Sequence, residues 1–322
     1  MKNFTITCQD LSHSDKLRVD HFLCQALAQS KNQVNQAIKN GLVCINSKPC
    51  KKSGELLKVG DEVSFTPLQK PKSECVYEFD YEIEVLYEDE DVLVLNKPPH
   101  LVVHSAPSVR EATLVDYLKA KGYQLSNLSG EERYGIVHRL DKDTSGAIAI
   151  AKSNQAHIAL CKELKEKTMG RYYLALIDLP LKDRVEVECL MGRNPNNRLK
   201  MAKLPYGRYS KTTFIPLLGT SPSLIVAKLD TGRTHQIRVH LETLSRHILG
   251  DKMYGKKDNS SLRLMLHAYL MYFIHPISKK KILIQAPLFE DMLGFLEQNF
   301  SLEDIDEVIS QEYILEHFGD CF

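Results

Sequence analysis

No stretch of these 322 residues approaches the roughly 18–20 consecutive apolar residues that a membrane-spanning helix needs. Residues Met1 to Asp15 lack the basic-then-apolar order of a secretory leader. There is no GxGxxG and no P-loop, and strand-like and helix-like runs do not alternate cleanly, which disfavours a doubly wound nucleotide fold. The cysteines (Cys8, Cys24, Cys44, Cys50, Cys75, Cys161, Cys189 and Cys321) form no C-x-x-C pair and no regular framework. Reduced thiols in a cytoplasmic protein are therefore expected, and a zinc site is not. Positive charge is missing from one region altogether. From Glu290 onward there are ten acidic residues and no Lys or Arg, so residues 1–289 carry all 42 basic residues against 31 of the 41 acidic ones, a net of +11. A body this basic points to a polyanionic partner. Leu293, Leu296 and Phe300 recur at helical spacing within the acidic stretch, which predicts a packed helix there.

The length suits one large domain and one small one. Residues 16–75 have the texture of a compact module. Val19, Phe22, Leu23 and Leu27 fall at helix spacing, a second helix follows with Val34, Ala37 and Ile38, and Gly41 is placed to stop it. Short strands come next, at Leu42–Asn46 and Asp61–Phe65, with turns through Ser47–Pro49 and Val59–Gly60. Pro67 to Glu74 is polar, holds two prolines and reads as a linker. From 80 to 290 the pattern is mixed. Short β runs (Val92–Leu95, Ala147–Ala151, Tyr172–Ile177, Leu224–Leu229, Ile282–Ile284) are interrupted by helical ones (Leu114–Lys119, Ala156–Glu166). This predicts an α+β domain on a mixed or antiparallel sheet, with 291–322 as an acidic helical extension.

Within the large region, Gly135 to Gly146 carries the densest chemistry. Asp141 and Asp143 sit with Arg139 and Lys142 in a polar turn between two apolar runs, Ile136–Val137 and Ala147–Ala151. A turn held between buried strands presents a side chain with little freedom, as a reacting group requires. Further on, Thr231–Gly232 reads as a turn, Thr234 as a helix N-cap, and Ile237, Leu241 and Leu244 as one apolar helical face. That leaves Arg238 near the first turn on another face. His235 and His240 are five apart, not at the i, i+4 spacing of a zinc-binding helix, so no metal is expected.

Two resemblances follow from these segments. Arg18–Leu23, Ser30–Val34, Ile38–Asn46 and Val59–Val63 resemble the S4-type RNA-binding domain. The resemblance implies that Arg18, Lys31, Lys39, Lys48, Lys51 and Lys52 contact RNA phosphates, giving affinity and salt dependence with little sequence information. Ser47–Lys48 stand where that family commonly has Gly after Asn, so a different turn is expected. His138–Gly146 resembles the catalytic motif of the RluA-type pseudouridine synthases. Asn96–Pro99 with Val102–His104, Arg171–Ile177, and Thr231–His240 with Leu249–Asp251 resemble further segments of that family, in the same order. By this resemblance Asp141 is the nucleophile and Asp143 a solvated bystander at a variable position. Tyr173 lies against the target base, and Arg139 fills the stack that the flipped uridine vacates. Arg238 is the guanidinium paired with Asp141, with Arg233 as the runner-up.

Isomerising uridine breaks the C–N glycosidic bond, turns the base and joins its C5 to the ribose. The reaction is redox-neutral, and one carboxylate that attacks and later leaves is enough. No cofactor, metal or membrane is implied. RNA is the expected partner, large-subunit ribosomal RNA by the S4-plus-catalytic arrangement, and a monomer is the expected form. A transfer-RNA substrate is the alternative within the same chemistry. A non-catalytic RNA-binding or ribosome-assembly protein would need basic residues but no free nucleophile. An RNA glycosidase would need a second carboxylate across the bond.

Overall fold

Hydrophobic side chains on the two sides of the proline-bearing stretch build separate cores. The computed structural model describes residues 2–7, 9–10, 17–27, 31–66, 77–106, 109–219, 221–255 and 261–320. The expected linker at 67–74, Ser30 of the S4-like motif, and Cys8, Cys75 and Cys321 lie outside them. The chain divides into two compact units, Met1–Val76 and Tyr77–Phe322.

In the first unit β1 (Lys2–Thr5), β3 (Val43–Ile45), β4 (Lys48–Pro49) and β6 (Glu62–Phe65) form an antiparallel sheet in the order β1-β6-β3-β4. The short strands β2 (Leu17–Arg18) and β5 (Leu56–Leu57) pair separately. Helices α1 (Val19–Leu27) and α2 (Lys31–Lys39) close the core. Val19, Leu23, Val34, Ala37 and Ile38 pack there with Val43, Val63 and Phe65. Gly41 follows α2 at φ +70, the left-handed position expected of a helix stop. The expected turn at Ser47–Pro49 is displaced. Asn46 (φ 50) and Ser47 (φ 66) both take positive φ in a two-residue hairpin turn, and Lys48–Pro49 are already strand. Asn46 tolerates this because its amide is engaged, donating to Asp61 Oδ1 at 2.8 Å and accepting from the Glu62 N–H at 2.9 Å.

The second unit is built on one ten-stranded sheet. Its strands are β7 (Val85–Glu88), β8 (Val92–Lys97), β9 (Ser145–Ala151), β10 (Gly170–Ile177), β11 (Val185–Arg193), β12 (Met201–Lys203), β13 (Arg208–Leu218), β14 (Ser223–Leu229), β15 (Leu266–Ile274) and β16 (Lys281–Gln285). The order is β12-β11-β13-β14-β10-β15-β9-β8-β7, with β16 also on β15. Every pairing is antiparallel except the two-residue parallel contact of β9 with β15. This is the α+β mixed sheet that the sequence predicts. Gly146 makes the parallel contact possible: at φ +108, a Cβ there would come 2.3 Å from the Ala268 carbonyl oxygen.

The helices are α3 (Leu114–Ala120), α4 (Asn154–Glu166), α5 (Gln236–Thr243), α6 (Glu290–Asn299), α7 (Leu302–Val308) and α8 (Gln311–Phe318). The acidic C-terminal segment is not an appendage. Met292, Leu296, Ile305, Val308, Ile314, Leu315 and Phe318 are buried in the same core as β10, β13 and β14. Arg263 binds Asp291 through two N–H groups, and Asp320 reaches Tyr172 and Lys228. Two of its carboxylates therefore meet basic residues of the unit on which it packs. Among the described residues no helix is long and apolar enough to cross a membrane.

Candidate active site

The motif at 135–146 is pinned on both sides of Asp141. Ile136 makes a single bridge to Ile150 of β9, so Ile136–Val137 is not the strand the apolar run suggests. His138 folds back on the same strand, its Nε2 accepting the Ala149 N–H at 2.9 Å. Leu140 is buried in the core. Beyond Asp141, the fully buried Lys97 donates to the carbonyls of Pro98 (2.6 Å), Leu101 (3.0 Å) and Lys142 (3.1 Å), tying the turn to the end of β8. Burial pushes the Lys97 ammonium down to about 7. Ser145, at the start of β9, hydrogen-bonds His267 of β15 at 2.9 Å. Asp143 is half-exposed and contacts His100 at 2.9 Å.

Asp141 is part-buried. Its carboxylate lies 3.9 Å from Arg238 Nη1, and among the described residues it accepts no hydrogen bond. Arg238 itself is gripped by Asp251, Nε to Oδ2 and Nη2 to Oδ1 both at 2.7 Å. The N–H groups of Met253 and Tyr254 also donate to Asp251, each at 2.9 Å, and the Tyr254 ring stacks under the guanidinium at 4.8 Å. Burial works against the Asp251 carboxylate, but these donors and the Arg238 charge hold its pKa below the usual value. Arg238 is thus fixed by one buried carboxylate and offers a remaining edge to the other.

Helix α5 differs from its expected form. Gln236 to Leu241 are all buried, so the helix is enclosed over its first six residues and reaches solvent only at Glu242 and Thr243. Thr234 is not the N-cap. His235 occupies that position in a left-handed conformation with no side-chain cap. The Gln236 amide organises the turn in its place. Its oxygen accepts from Thr231 Oγ1 (2.7 Å) and the Arg233 N–H (3.0 Å), and its nitrogen donates to the Lys211 carbonyl and Thr212 Oγ1 on β13, each at 2.9 Å. A buried amide with its donors and acceptors engaged thus fixes the turn before the helix and ties it to β13, without capping the helix itself. The two histidines part company. His235 meets the Tyr254 hydroxyl at 2.9 Å, whereas His240 is buried against Ser210 Oγ at 2.9 Å and Cys189 Sγ at 3.4 Å.

Asp141, Tyr173, Arg238, Arg139 and Arg233 line one cleft of about 860 Å³. Tyr173 is buried in β10. Its neighbour Tyr172 faces the other side of the sheet, against Phe318. Burial pushes the Tyr173 phenol up, so it keeps its proton. Several members of the cleft carry no signal in the sequence. Arg133, Lys165, Arg171, Arg193 and Arg208 also line it, giving eight cationic side chains around Asp141 as the single carboxylate. Arg193 and Arg208 sit in a β11–β13 hairpin region with no motif to announce it; Arg171 and Asp251 fall inside family-like segments without an assigned role. In the first unit Lys39, Lys48, Lys51 and Lys52 are exposed. Arg18 has an internal partner: it forks onto the buried Asp20 at 2.9 and 2.8 Å, with Lys31 at 3.9 Å from the same carboxylate. Part of its charge is therefore already answered.

Residues 91–243 match the family model for RNA pseudouridylate synthase, and residues 17–63 that for the S4 domain. An RNA pseudouridine synthase of Helicobacter pylori is 55% identical over 313 residues, covering 94% of this chain and 95% of its own. A ribosomal large subunit pseudouridine synthase D of Neisseria meningitidis is 34% identical over 312 residues, 92% of this chain and 82% of that one. The solved structure of human RNA pseudouridylate synthase domain containing 1 shares the fold at a TM-score of 0.52 and 24% identity, over 67% of this chain and 94% of that one. With an S4 domain ahead of the sheet that carries this cleft, the chain belongs to the RNA pseudouridine synthases of RluA type, isomerases that act on RNA.

Proposed function

We propose that the enzyme isomerises uridines of large-subunit ribosomal RNA, with Asp141 as the nucleophile. The observation that carries the reading is the cleft itself, one unsaturated carboxylate among eight cations. The cations suit a phosphodiester backbone, and a lone carboxylate suits a reaction whose nucleophile must later leave. A glycosidase would want a second carboxylate some 5–9 Å away, and no other lines the cleft among the described residues. The relative named for the large ribosomal subunit supports the substrate, and so does an S4 domain with exposed lysines.

In this reading the target uridine leaves its stack and Arg139, which is exposed at the cleft, takes the space. A carboxylate oxygen of Asp141 bonds to ribose C1′ as the C1′–N1 bond breaks. Arg238 sets the direction of that carboxylate and is itself aimed by Asp251. The freed base turns over Tyr173, C5 bonds to C1′, and Asp141 departs. The C5 proton then moves to N1. A phenol that keeps its proton is a poor general base, so Tyr173 serves as the platform under the ring and as a relay for that proton rather than as a phenolate. Asp141→Asn is expected to abolish pseudouridine formation while RNA affinity stays within a few-fold. Mapping pseudouridines in ribosomal RNA from cells with wild-type, deleted and Asn-substituted enzyme tests nucleophile and substrate together; full modification by the variant removes the assignment.

A further inference from the structure

The steps above leave Arg171 without a role. It is only 6% exposed and lies two residues before Tyr173 on β10, so both side chains leave the same face of the strand and line the same cleft. Among the described residues its hydrogen bond runs from Nη2 to the Leu229 carbonyl at a long 3.3 Å, and its Nε finds no acceptor. Among the described residues no carboxylate comes within ion-pair distance of it; Asp230 acts only from further off. Gly232 leaves room for the guanidinium, since a Cβ there would sit 2.8 Å from Nη1. The contrast with Arg238, held by Asp251 and facing Asp141, is direct. A buried guanidinium without a carboxylate partner is costly in a folded protein unless something else meets it.

A second donor in the cleft is in the same position. His138 Nε2 accepts the Ala149 N–H, so its ring proton is on Nδ1, which has no acceptor among the described residues. Burial, reinforced by Arg171, holds the His138 pKa down to about 3, and the ring is a neutral donor. Two such donors, lining the same cleft as the tyrosine proposed to carry the base, call for an oxygen that bears charge during the reaction. Uracil supplies one. When C1′–N1 breaks, the bonding pair stays with the base, and its negative charge spreads over N1 and the two carbonyl oxygens until C5 closes onto C1′.

We infer that Arg171, with the His138 Nδ1–H, holds a carbonyl oxygen of the target uracil and carries the negative charge the base acquires on leaving the ribose. This rests on the reading of Asp141 as nucleophile. The pair acts as an anion hole for the displaced base, a group aimed at charge that develops only after the ground state. Atoms and electrons balance without any further reactant: one C–N bond is exchanged for one C–C bond, and one proton passes from C5 to N1.

The test pairs Arg171→Met and Arg171→Lys with RNA carrying either uridine or 5-fluorouridine at a mapped site. Fluorine stabilises the displaced anion and so takes over part of the work. Arg171→Met is expected to lower the single-turnover rate of N-glycoside loss on uridine RNA about 100-fold, as removal of one such donor does elsewhere, and only about tenfold on the fluorinated RNA, whose C5 has no proton to give up so that the reaction stops once C5 has joined C1′, with Lys restoring part of the difference. Loss of the N-glycoside is followed in nuclease digests by mass spectrometry. Equal losses on the two RNAs, or a loss confined to KM, overturn the role. A measurement on wild type needs no variant: 2-thio- or 4-thiouridine RNA is expected to slow turnover at one of the two positions, and indifference to both overturns the contact. Equal losses leave Asp141 standing, whereas an Asp141→Asn protein that still forms pseudouridine removes both readings.

Discussion

Arg238 serves two carboxylates at once, and their division of labour makes a prediction. Asp251 takes two guanidinium N–H groups in a buried fork, and Asp141 sees what remains. Asp251→Asn removes the charge that anchors the guanidinium. Breaking a buried pair from one side costs about 3–5 kcal/mol, so urea melts should shift by that order, and kcat should fall more than RNA affinity because Arg238 is free to turn. The pH dependence has a definite sign. The Asp251 pKa is depressed in the folded protein, so its contribution is complete above the unfolded carboxylate value of about 3.9. That contribution disappears as pH falls through the lower folded value. Thermal melts of wild type should therefore decline on acidification more steeply than those of the Asn variant. At this scale the sequence was legible where motifs named a residue: Asp141, Tyr173, Arg238, Arg139 and Arg233 all reach one cleft. Asp251 and Arg171 went unassigned because their importance lies in which neighbour they lack or hold, and spacing along a chain does not encode that.

Among the elements, those with a strong apolar period were readable and those shaped by polar side chains were not. β8, β9, β10, β14 and β16 contain the apolar runs that predict them, with no end moved by more than two residues. Thr234 as a cap failed because the helix starts one residue later, after a left-handed His235, and no side chain caps it; Gln236, which carries no signature, ties the preceding turn to β13. Ile136–Val137 looked like a strand and is a single bridge, since the chain must turn at once to let His138 and Leu140 grip β9 and the core. Gly146→Ala tests the tightest of these approaches. A Cβ within 2.3 Å of the Ala268 oxygen forces β9 from β15. The variant should be destabilised by about 3 kcal/mol or more, in the range of strain at a special backbone position, read by chemical denaturation.

Charge and core divide the whole molecule differently. The sequence separates a basic body from an acidic end, yet α6, α7 and α8 bury their apolar faces in the catalytic core, and Asp291 and Asp320 meet Arg263 and Lys228 there. The first unit has its own core and exposed lysines. Deleting residues 1–76 is accordingly expected to leave the catalytic unit folded by circular dichroism. Ribosomal RNA binding should weaken, and the slope of log affinity against log salt should fall by about 0.7–0.9 for each phosphate that is no longer neutralised. An unchanged slope would take the RNA-binding role away from this unit.

The pair Tyr172–Tyr173 leaves β10 open to an error that its own side chains do not prevent. A slip of one residue would still point a tyrosine into the cleft, because both positions carry the same ring, but it would turn Arg171 to the other face. The opposite side of the strand tells the two tyrosines apart. There Tyr172 meets the Phe318 ring at 5.3 Å, and its hydroxyl donates to Asp320, which Lys228 also holds. The acidic C-terminal helix α8 thus acts as a key that accepts only one alignment of the strand beneath it.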